Sequence, residues 1–149
     1  MELRTDLIDS GYQILGPCTH AGACPLLKHS KKDWCHFRVF WERPLWMQQL
    51  EQPLGFNNRT LTYSYLLASK IQASETTNAV RVIGDTLDEK GKTKQAICRG
   101  EDREFVSWLH RYKDINNIAR GALIELPENT ESKGTEVRIQ ENPKILWQP

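Results

Sequence analysis

Four cysteines carry most of the chemistry that this sequence offers. Cys18, Cys24 and Cys35 follow the spacing C-x5-C-x10-C, and Cys98 lies 62 intervening residues further on. A structural zinc site usually collects its sulfurs from two tight C-x2-4-C turns, and this spacing contains neither. An iron–sulfur cluster is wider and takes one thiolate per iron. Three thiols from a long loop and one from a distant strand therefore suit a cluster better.

Other uses of these thiols stay open at this point. Zinc is the second interpretation, with His20 or His36 as a substitute ligand. Disulfides and unligated buried thiols are the third, but residues 1–10 contain four charged side chains and no apolar run that would resemble a secretion signal. A Cys–His nucleophile is disfavoured because no orienting acid accompanies either cysteine-histidine pair. We predict no catalytic residue.

The fourth cysteine is expected on a rigid element. Residues 60–69 alternate in hydrophobicity with a period of two, which predicts a strand, and residues 79–86 predict a second. The turn at Asp88–Gly91 then leads into a returning strand at Lys92–Arg99, which completes an antiparallel hairpin and carries Cys98. We expect the other three cysteines on an adaptable loop, so that a bound cluster ties loop to sheet.

Helices are predicted on both sides of the cysteine loop. Glu2–Ser10 has apolar residues at helical spacing and precedes a strand at Tyr12–Leu15. After the loop, the pattern predicts a helix over 33–43, a second over 45–51 that Pro44 opens, and a third over 114–120. Two strands, 122–126 and 137–139, are expected to form a small terminal sheet.

Several segments also carry a resemblance to a known family. They are PCTHAGACPL at 17–26, DWCHF at 33–37, YSYLLASK at 63–70, RVIG at 81–84 and the lone Cys98. In this order they resemble the C-terminal part of the Rsm-type methyltransferase-like family of mitochondrial and bacterial small-ribosomal-subunit proteins. The resemblance implies that Cys18, Cys24, Cys35 and Cys98 hold a [4Fe-4S] cluster. The sequence departs from the family at Thr19, where proline is usual, and at Gly121-Ala122, where Gly-Asp is usual.

The resemblance also implies a fold and a function. The expected fold class is α+β, the C-terminal portion of a Rossmann-like methyltransferase fold with an iron–sulfur loop, an antiparallel hairpin and a small terminal sheet. Residues 1–121 would form the methyltransferase-like region and 122–149 a β tail. The implied function is in assembly or translation on the small ribosomal subunit, with ribosomal RNA and ribosomal proteins as partners. The location would be the mitochondrial matrix in a eukaryote and the cytoplasm in a bacterium.

Two alternative functions follow from the same residues. One is a fragment or subunit of an active S-adenosylmethionine-dependent rRNA methyltransferase, with a methyltransferase core on another chain or in a missing segment. The sequence has no glycine-rich strand-to-helix turn that would receive that cofactor, so enzyme activity is left open. The other alternative is a zinc-stabilised nucleic-acid-binding module.

Composition is that of an ordinary soluble domain, with 39% hydrophobic and 26% charged residues and a net charge of +1. No apolar run approaches the ~20 residues that cross a bilayer, so no membrane partner is expected. Residues 28–120 hold 16 Lys and Arg against 11 Asp and Glu. This excess permits an anionic partner. The predicted RNA-binding residues flank the cysteine loop and the hairpin, and are Lys28, Lys31, Lys32, Lys90, Lys92 and Lys94.

Overall fold

A computed structural model describes residues 2–29, 35–71 and 78–149 as a mixed α/β fold with many strands and few helices. The helices are α1 Glu2–Asp9, α2 Pro25–His29 and α3 Leu45–Leu54. The strands are β1 Gln13–Gly16, β2 Phe37–Phe40, β3 Thr60–Tyr63, β4 Leu67–Ser69, β5 Ala79–Val82, β6 Leu87–Glu89, β7 Lys92–Cys98, β8 Glu104–Leu109, β9 Leu123–Glu125, β10 Glu131–Lys133, β11 Glu136–Arg138 and β12 Lys144–Trp147. Within the described residues, no helix has the length and apolar character needed to cross a membrane.

The largest sheet has eight strands in the order β10-β11-β8-β7-β5-β9-β12, with β6 also paired to β7. All of these pairs are antiparallel except β11 with β8. One face of this sheet carries the main core, where residues such as Val82, Ile97 and Ile124 are fully buried. The register places Cys98 opposite Arg81 in the β5–β7 pair, whereas Val82 lies opposite Ile97. Because side chains alternate along a strand, Cys98 and Arg81 lie on the face away from the main core.

Two small sheets of two strands each are built from strands on either side of the cysteine loop in the sequence. β1 pairs with β4, and β2 pairs with β3. β1 leads into the loop that contains Cys18, and β2 begins two residues after Cys35. The two small sheets therefore fix both ends of the segment that carries the first three cysteines.

The strand predicted over 60–69 is divided between the two small sheets. β3 pairs with β2 while β4 pairs with β1, and the chain between them turns at Ser64, Tyr65 and Leu66. The Ser64 hydroxyl donates a hydrogen bond of 2.6 Å to the Cys35 carbonyl. The Tyr65 ring lies 5.2 Å from the Phe37 ring. These tertiary contacts interrupt a pattern that is continuous in the sequence.

The hairpin prediction is confirmed, with Cys98 as the last residue of its returning strand. Gly91 in the turn has φ +83°, a left-handed conformation that glycine adopts without a Cβ clash. The incoming strand is shorter than predicted, because β5 ends at Val82 and β6 begins at Leu87. A Cβ at Gly84 would approach the Ala96 Cβ to 2.9 Å, so the break between the two strands depends on a residue without a side chain.

The helix predicted over 33–43 is wrong in its described part. Residues 37–40 form β2, whose register with β3 runs from Phe37 opposite Tyr63 to Phe40 opposite Thr60. Aromatic and β-branched side chains pack well on a pleated sheet, and pairing with β3 provides the backbone hydrogen bonds. Residues 33 and 34 of the prediction lie outside the described residues.

The helix predicted over 114–120 is also wrong, since this segment forms turns. The side chain of Gln95 accepts a hydrogen bond from the Ile118 amide at 3.1 Å and donates one to the Ile118 carbonyl at 2.8 Å. The Asn142 side chain donates to the Asp114 carbonyl at 2.7 Å. These side chains supply partners that a helix would have provided from its own backbone.

The other predicted elements are present with small changes. The first helix is α1 and the strand after it is β1. The second predicted helix is α3, which Pro44 precedes and which ends at Gly55 with φ +68°. It continues past Glu51 to Leu54 with Pro53 inside its last turn.

The two predicted tail strands are β9 and β11, but they do not pair with each other. β9 lies between β5 and β12, and β11 lies between β8 and β10. Residues on both sides of 121 thus contribute strands to one sheet. The division into 1–121 and 122–149 and the relation to a Rossmann-like methyltransferase fold stay predictions.

Candidate metal centre

All four cysteines line one cavity of about 360 Å³ on the second face of the large sheet. None of them is in a disulfide. Apolar side chains form most of the remaining wall, and the described lining includes one basic side chain and no carboxylate. The lining residues are Leu3, Arg4, Pro17, Cys18, Cys24, Pro25, Leu26, Cys35, Ser64, Tyr65, Leu66, Ile83 and Cys98.

Each cysteine is held by a different local structure. Cys24 lies just before α2, and its carbonyl accepts the amides of Leu27 and Lys28 at 3.2 Å. The Cys35 carbonyl is bound by Ser64, as described above. Cys98 ends β7, and its carbonyl accepts a hydrogen bond of 3.1 Å from the Thr19 hydroxyl, next to Cys18. The loop is thus tied to the sheet beside Cys98.

Burial makes two of these thiols hard to ionise. Burial, and then the charges of neighbouring cysteines, raise the pKa of Cys35 and of Cys98 to about 12. Arg120 and Arg81 oppose this shift at Cys35, and Arg4 opposes it at Cys98. Thiolate is the form that binds metals, and a cation in the cavity would stabilise it. The donor set is therefore chemically suited to a metal group, but only one that supplies substantial positive charge.

The two histidines considered as substitute ligands differ in position. His20 Nε2 lies 3.4 Å from the Cys98 sulfur, and its Nδ1 is buried without a partner among the described residues. Burial and then the Arg4 charge lower the pKa of His20, whereas Glu101 raises it. His36 instead contacts Arg120, through Nδ1 at 3.3 Å and through its carbonyl at 3.0 Å, and does not line the cavity. His20 thus places a ring nitrogen beside the sulfur of a predicted ligand, whereas the contacts described here for His36 are with Arg120.

The arrangement of side chains does not by itself mark a site for a single metal ion. In the described part of the chain, no group of three or more His, Cys, Asp or Glu is placed to hold one. The four thiols share a cavity, and the predicted metal site stays a prediction.

Arg4, Arg81 and Tyr65 lie around the thiols and were not predicted as site residues from the sequence. Arg81 is buried within a strand whose four residues are all buried. A charged residue inside a buried strand is rare unless it is paired. The arginine between two valines was therefore the sequence feature that could have pointed to Arg81. Arg4 lies in α1, where nothing in the sequence distinguishes it from a surface residue.

The predicted RNA-binding lysines lie near opposite ends of β7. Lys28 contacts Asp102 at 3.4 Å, just beyond the Cys98 end of the strand. Lys90 and Lys92 lie at the other end. Cys98 is six residues along β7 from Lys92, which corresponds to about 20 Å of extended strand. Lys92 pairs with Glu89 and Glu136, and Lys94 pairs with Glu89. Lys31 and Lys32 lie outside the described residues.

The family model described as mitochondrial small ribosomal subunit Rsm22 matches residues 1–121. This range contains all four cysteines and every predicted RNA-binding lysine. No curated protein and no solved structure matches the chain.

Proposed function

Because the chain belongs to the Rsm22 family of the mitochondrial small ribosomal subunit, we propose that it is the iron–sulfur-bearing part of a methyltransferase-like factor for small-subunit assembly or translation. On this proposal the protein acts with ribosomal RNA and ribosomal proteins, in mitochondria where the source is a eukaryote. Cys18, Cys24, Cys35 and Cys98 hold a [4Fe-4S] cluster.

The observation that carries the proposal is the shared cavity. Four cysteines that are far apart in sequence line one space of about 360 Å³ in a chain with no fifth cysteine. The number of thiols equals the number of irons in a [4Fe-4S] cluster, and each iron takes one.

The ligand positions give the cluster a structural role. When bound, it supplies four iron–thiolate bonds. Cys18 and Cys24 belong to the loop after β1, Cys35 precedes β2, and Cys98 belongs to the large sheet. The bonds therefore join the two small sheets to the large one, and metal binding contributes directly to folding.

The test is anaerobic purification followed by metal and sulfide analysis. We expect a brown protein with about four irons and four sulfides per chain. A variant with Cys98 changed to Ser should retain less iron, because one iron loses its ligand. Stoichiometric zinc without iron in the anaerobically prepared wild-type protein would overturn the proposal.

A further inference from the structure

Arg4 and Arg81 are buried cations without a carboxylate partner among the described residues. They are 9% and 5% exposed. Arg4 Nη2 donates to the carbonyls of His20 and Gly22, both at 2.8 Å. Arg81 donates through Nε to the Pro17 carbonyl at 3.1 Å and through Nη1 to the Gly121 carbonyl at 2.9 Å.

Three of these four carbonyls belong to the cysteine loop. Arg81 holds the loop immediately before Cys18, and Arg4 holds it between Cys18 and Cys24. A guanidinium group can bind two acceptors in a fixed planar geometry, which suits it to fixing a backbone segment. The two side chains come from α1 and β5, so they hold the loop from two separate elements.

Among the described residues no carboxylate pairs with either charge, and the guanidinium carbon of Arg81 lies 5.6 Å from the centre of the Trp147 ring. A buried guanidinium without an anion is costly, and carbonyl dipoles offset only part of the cost. Arg4 lines the cysteine cavity, whose described lining has no carboxylate, and its Nε is buried without a partner there. Arg81 lies directly across the strand pair from Cys98. Arg120 differs, since it has Asp85 at 3.2 Å.

We propose that Arg4 and Arg81 form a cationic clamp that positions the loop from Pro17 to Cys24 and offsets the negative charge of four cysteine thiolates bound to iron. The charge part rests on the proposed function, whereas the positioning part does not. Both arginines are positioning residues that act through the loop and through charge. Nearby positive charge favours the more negative, reduced state of a cluster and so raises its reduction potential.

Substitutions can separate the two parts of the clamp. Arg4→Gln and Arg81→Gln remove the charge, while Arg4→Lys and Arg81→Lys keep it but replace the rigid planar guanidinium by an ammonium on a flexible stem. Arg111→Gln is the matched control, because Arg111 is exposed and stacks on Tyr112 away from the cavity. Circular dichroism establishes that each variant is folded.

The first measurement uses cluster-loaded protein under anaerobic conditions. Titration with dithionite gives the reduction potential, and a ferrous chelator gives the rate of iron loss. We expect a more negative potential and severalfold faster iron loss in the Gln variants. The Lys variants should keep the wild-type potential but still lose iron faster. Wild-type potentials in both Gln variants would overturn the charge part.

The second measurement uses iron-free protein and tests positioning alone. Mass spectrometry gives the rate at which iodoacetamide labels each cysteine. We expect Cys18 and Cys24 to be labelled severalfold faster in the Gln and Lys variants than in wild type and Arg111→Gln. Unchanged labelling would overturn the positioning part. Absence of iron from wild-type protein would instead overturn the proposed function and, with it, the charge part.

Discussion

The side chain of Gln95 takes the place of backbone hydrogen bonds in the core. It is 1% exposed and binds both the amide and the carbonyl of Ile118. The segment around Ile118 covers the main core without regular secondary structure, so its buried polar groups need partners from elsewhere. One side chain thus allows a turn segment to be packed as tightly as a helix.

We predict that Gln95→Leu destabilises the fold by about 2–6 kcal/mol, because it leaves two buried backbone groups of Ile118 without partners at about 1–3 kcal/mol each. Urea denaturation measures the change. Gln140→Leu is the control, since Gln140 is exposed and an exposed substitution costs within about 0.5 kcal/mol. Equal stability of the two variants would contradict this role for Gln95.

The positions of the thiols were partly predictable residue by residue. The period-two pattern and turn before Cys98 placed it on a strand, since these signals are local. The partners of the site were not predictable in this way. Arg4 meets the carbonyls of His20 and Gly22 only in the folded chain, and their contact leaves no periodic signal in the sequence.

Elements were predictable where local signals were strong. Pro44 and Gly55 delimit α3, and Gly91 marks the hairpin turn, because each residue restricts the backbone in its own way. Phe37–Phe40 has no such restriction, and strand pairing with β3 decided its conformation. Pairing between distant segments also divided 60–69 into β3 and β4, a break that alternation alone cannot show.

Three strands of the large sheet share one ionic network. Glu136 on β11 accepts hydrogen bonds from Lys92 on β7 and, at 3.3 Å, from Ser107 on β8. The hydrogen bond from Lys92 is the main cause that lowers the pKa of Glu136 below its ordinary 4.5. A carboxyl with a lowered pKa stabilises the fold above its unfolded pKa, and this contribution is lost as the pH falls through its folded pKa.

We therefore predict that Glu136→Gln lowers the free energy of unfolding at pH 7 by at most about 0.5 kcal/mol, since solvent screens a partly exposed pair. The difference from wild type should shrink as the pH falls below about 4.5, where the unfolded carboxyl is protonated. Denaturation at several pH values measures this. Glu131→Gln on the exposed strand β10 is the control. A stability difference between Glu136→Gln and wild type that grows as the pH falls would contradict the predicted direction.

At the scale of the whole molecule, the cysteine cavity lies where three sheets meet. The large sheet provides Cys98, and the two small sheets fix the ends of the segment that carries the other three thiols. No single element contains the site, so it exists only in the folded chain. Loss of the proposed cluster should loosen the attachment of the small sheets before it affects the main core, which occupies the opposite face of the large sheet.

The last prediction concerns ribosomal RNA. Lys28 lies near the Cys98 end of β7 and Lys90 near the other, so the described members of this set are spread along the strand rather than clustered at one point. Lysines spread in this way would contact several successive phosphates. We predict that changing Lys28, Lys31, Lys32, Lys90, Lys92 and Lys94 to Gln weakens binding to small-subunit RNA. The salt dependence of log affinity should become shallower by about 0.7 for each lost phosphate contact on a single strand.

Charge placement distinguishes this RNA hypothesis from a general effect of basicity. Arg59→Gln with Lys70→Gln removes two exposed charges that adjoin β3 and β4 of the small sheets rather than β7, and should leave the salt slope unchanged. Cluster-free protein should also bind more weakly, because the loop beside Lys28 is no longer tied to the Cys98 end of β7.

Filter binding at several salt concentrations measures the RNA affinity of the six-lysine variant, the control variant and the cluster-free protein. Unchanged affinity in both the six-lysine variant and the cluster-free protein would remove the hypothesis. Weaker binding in both, with the Gln variant still folded, would show that the cluster acts by positioning charge along the sheet.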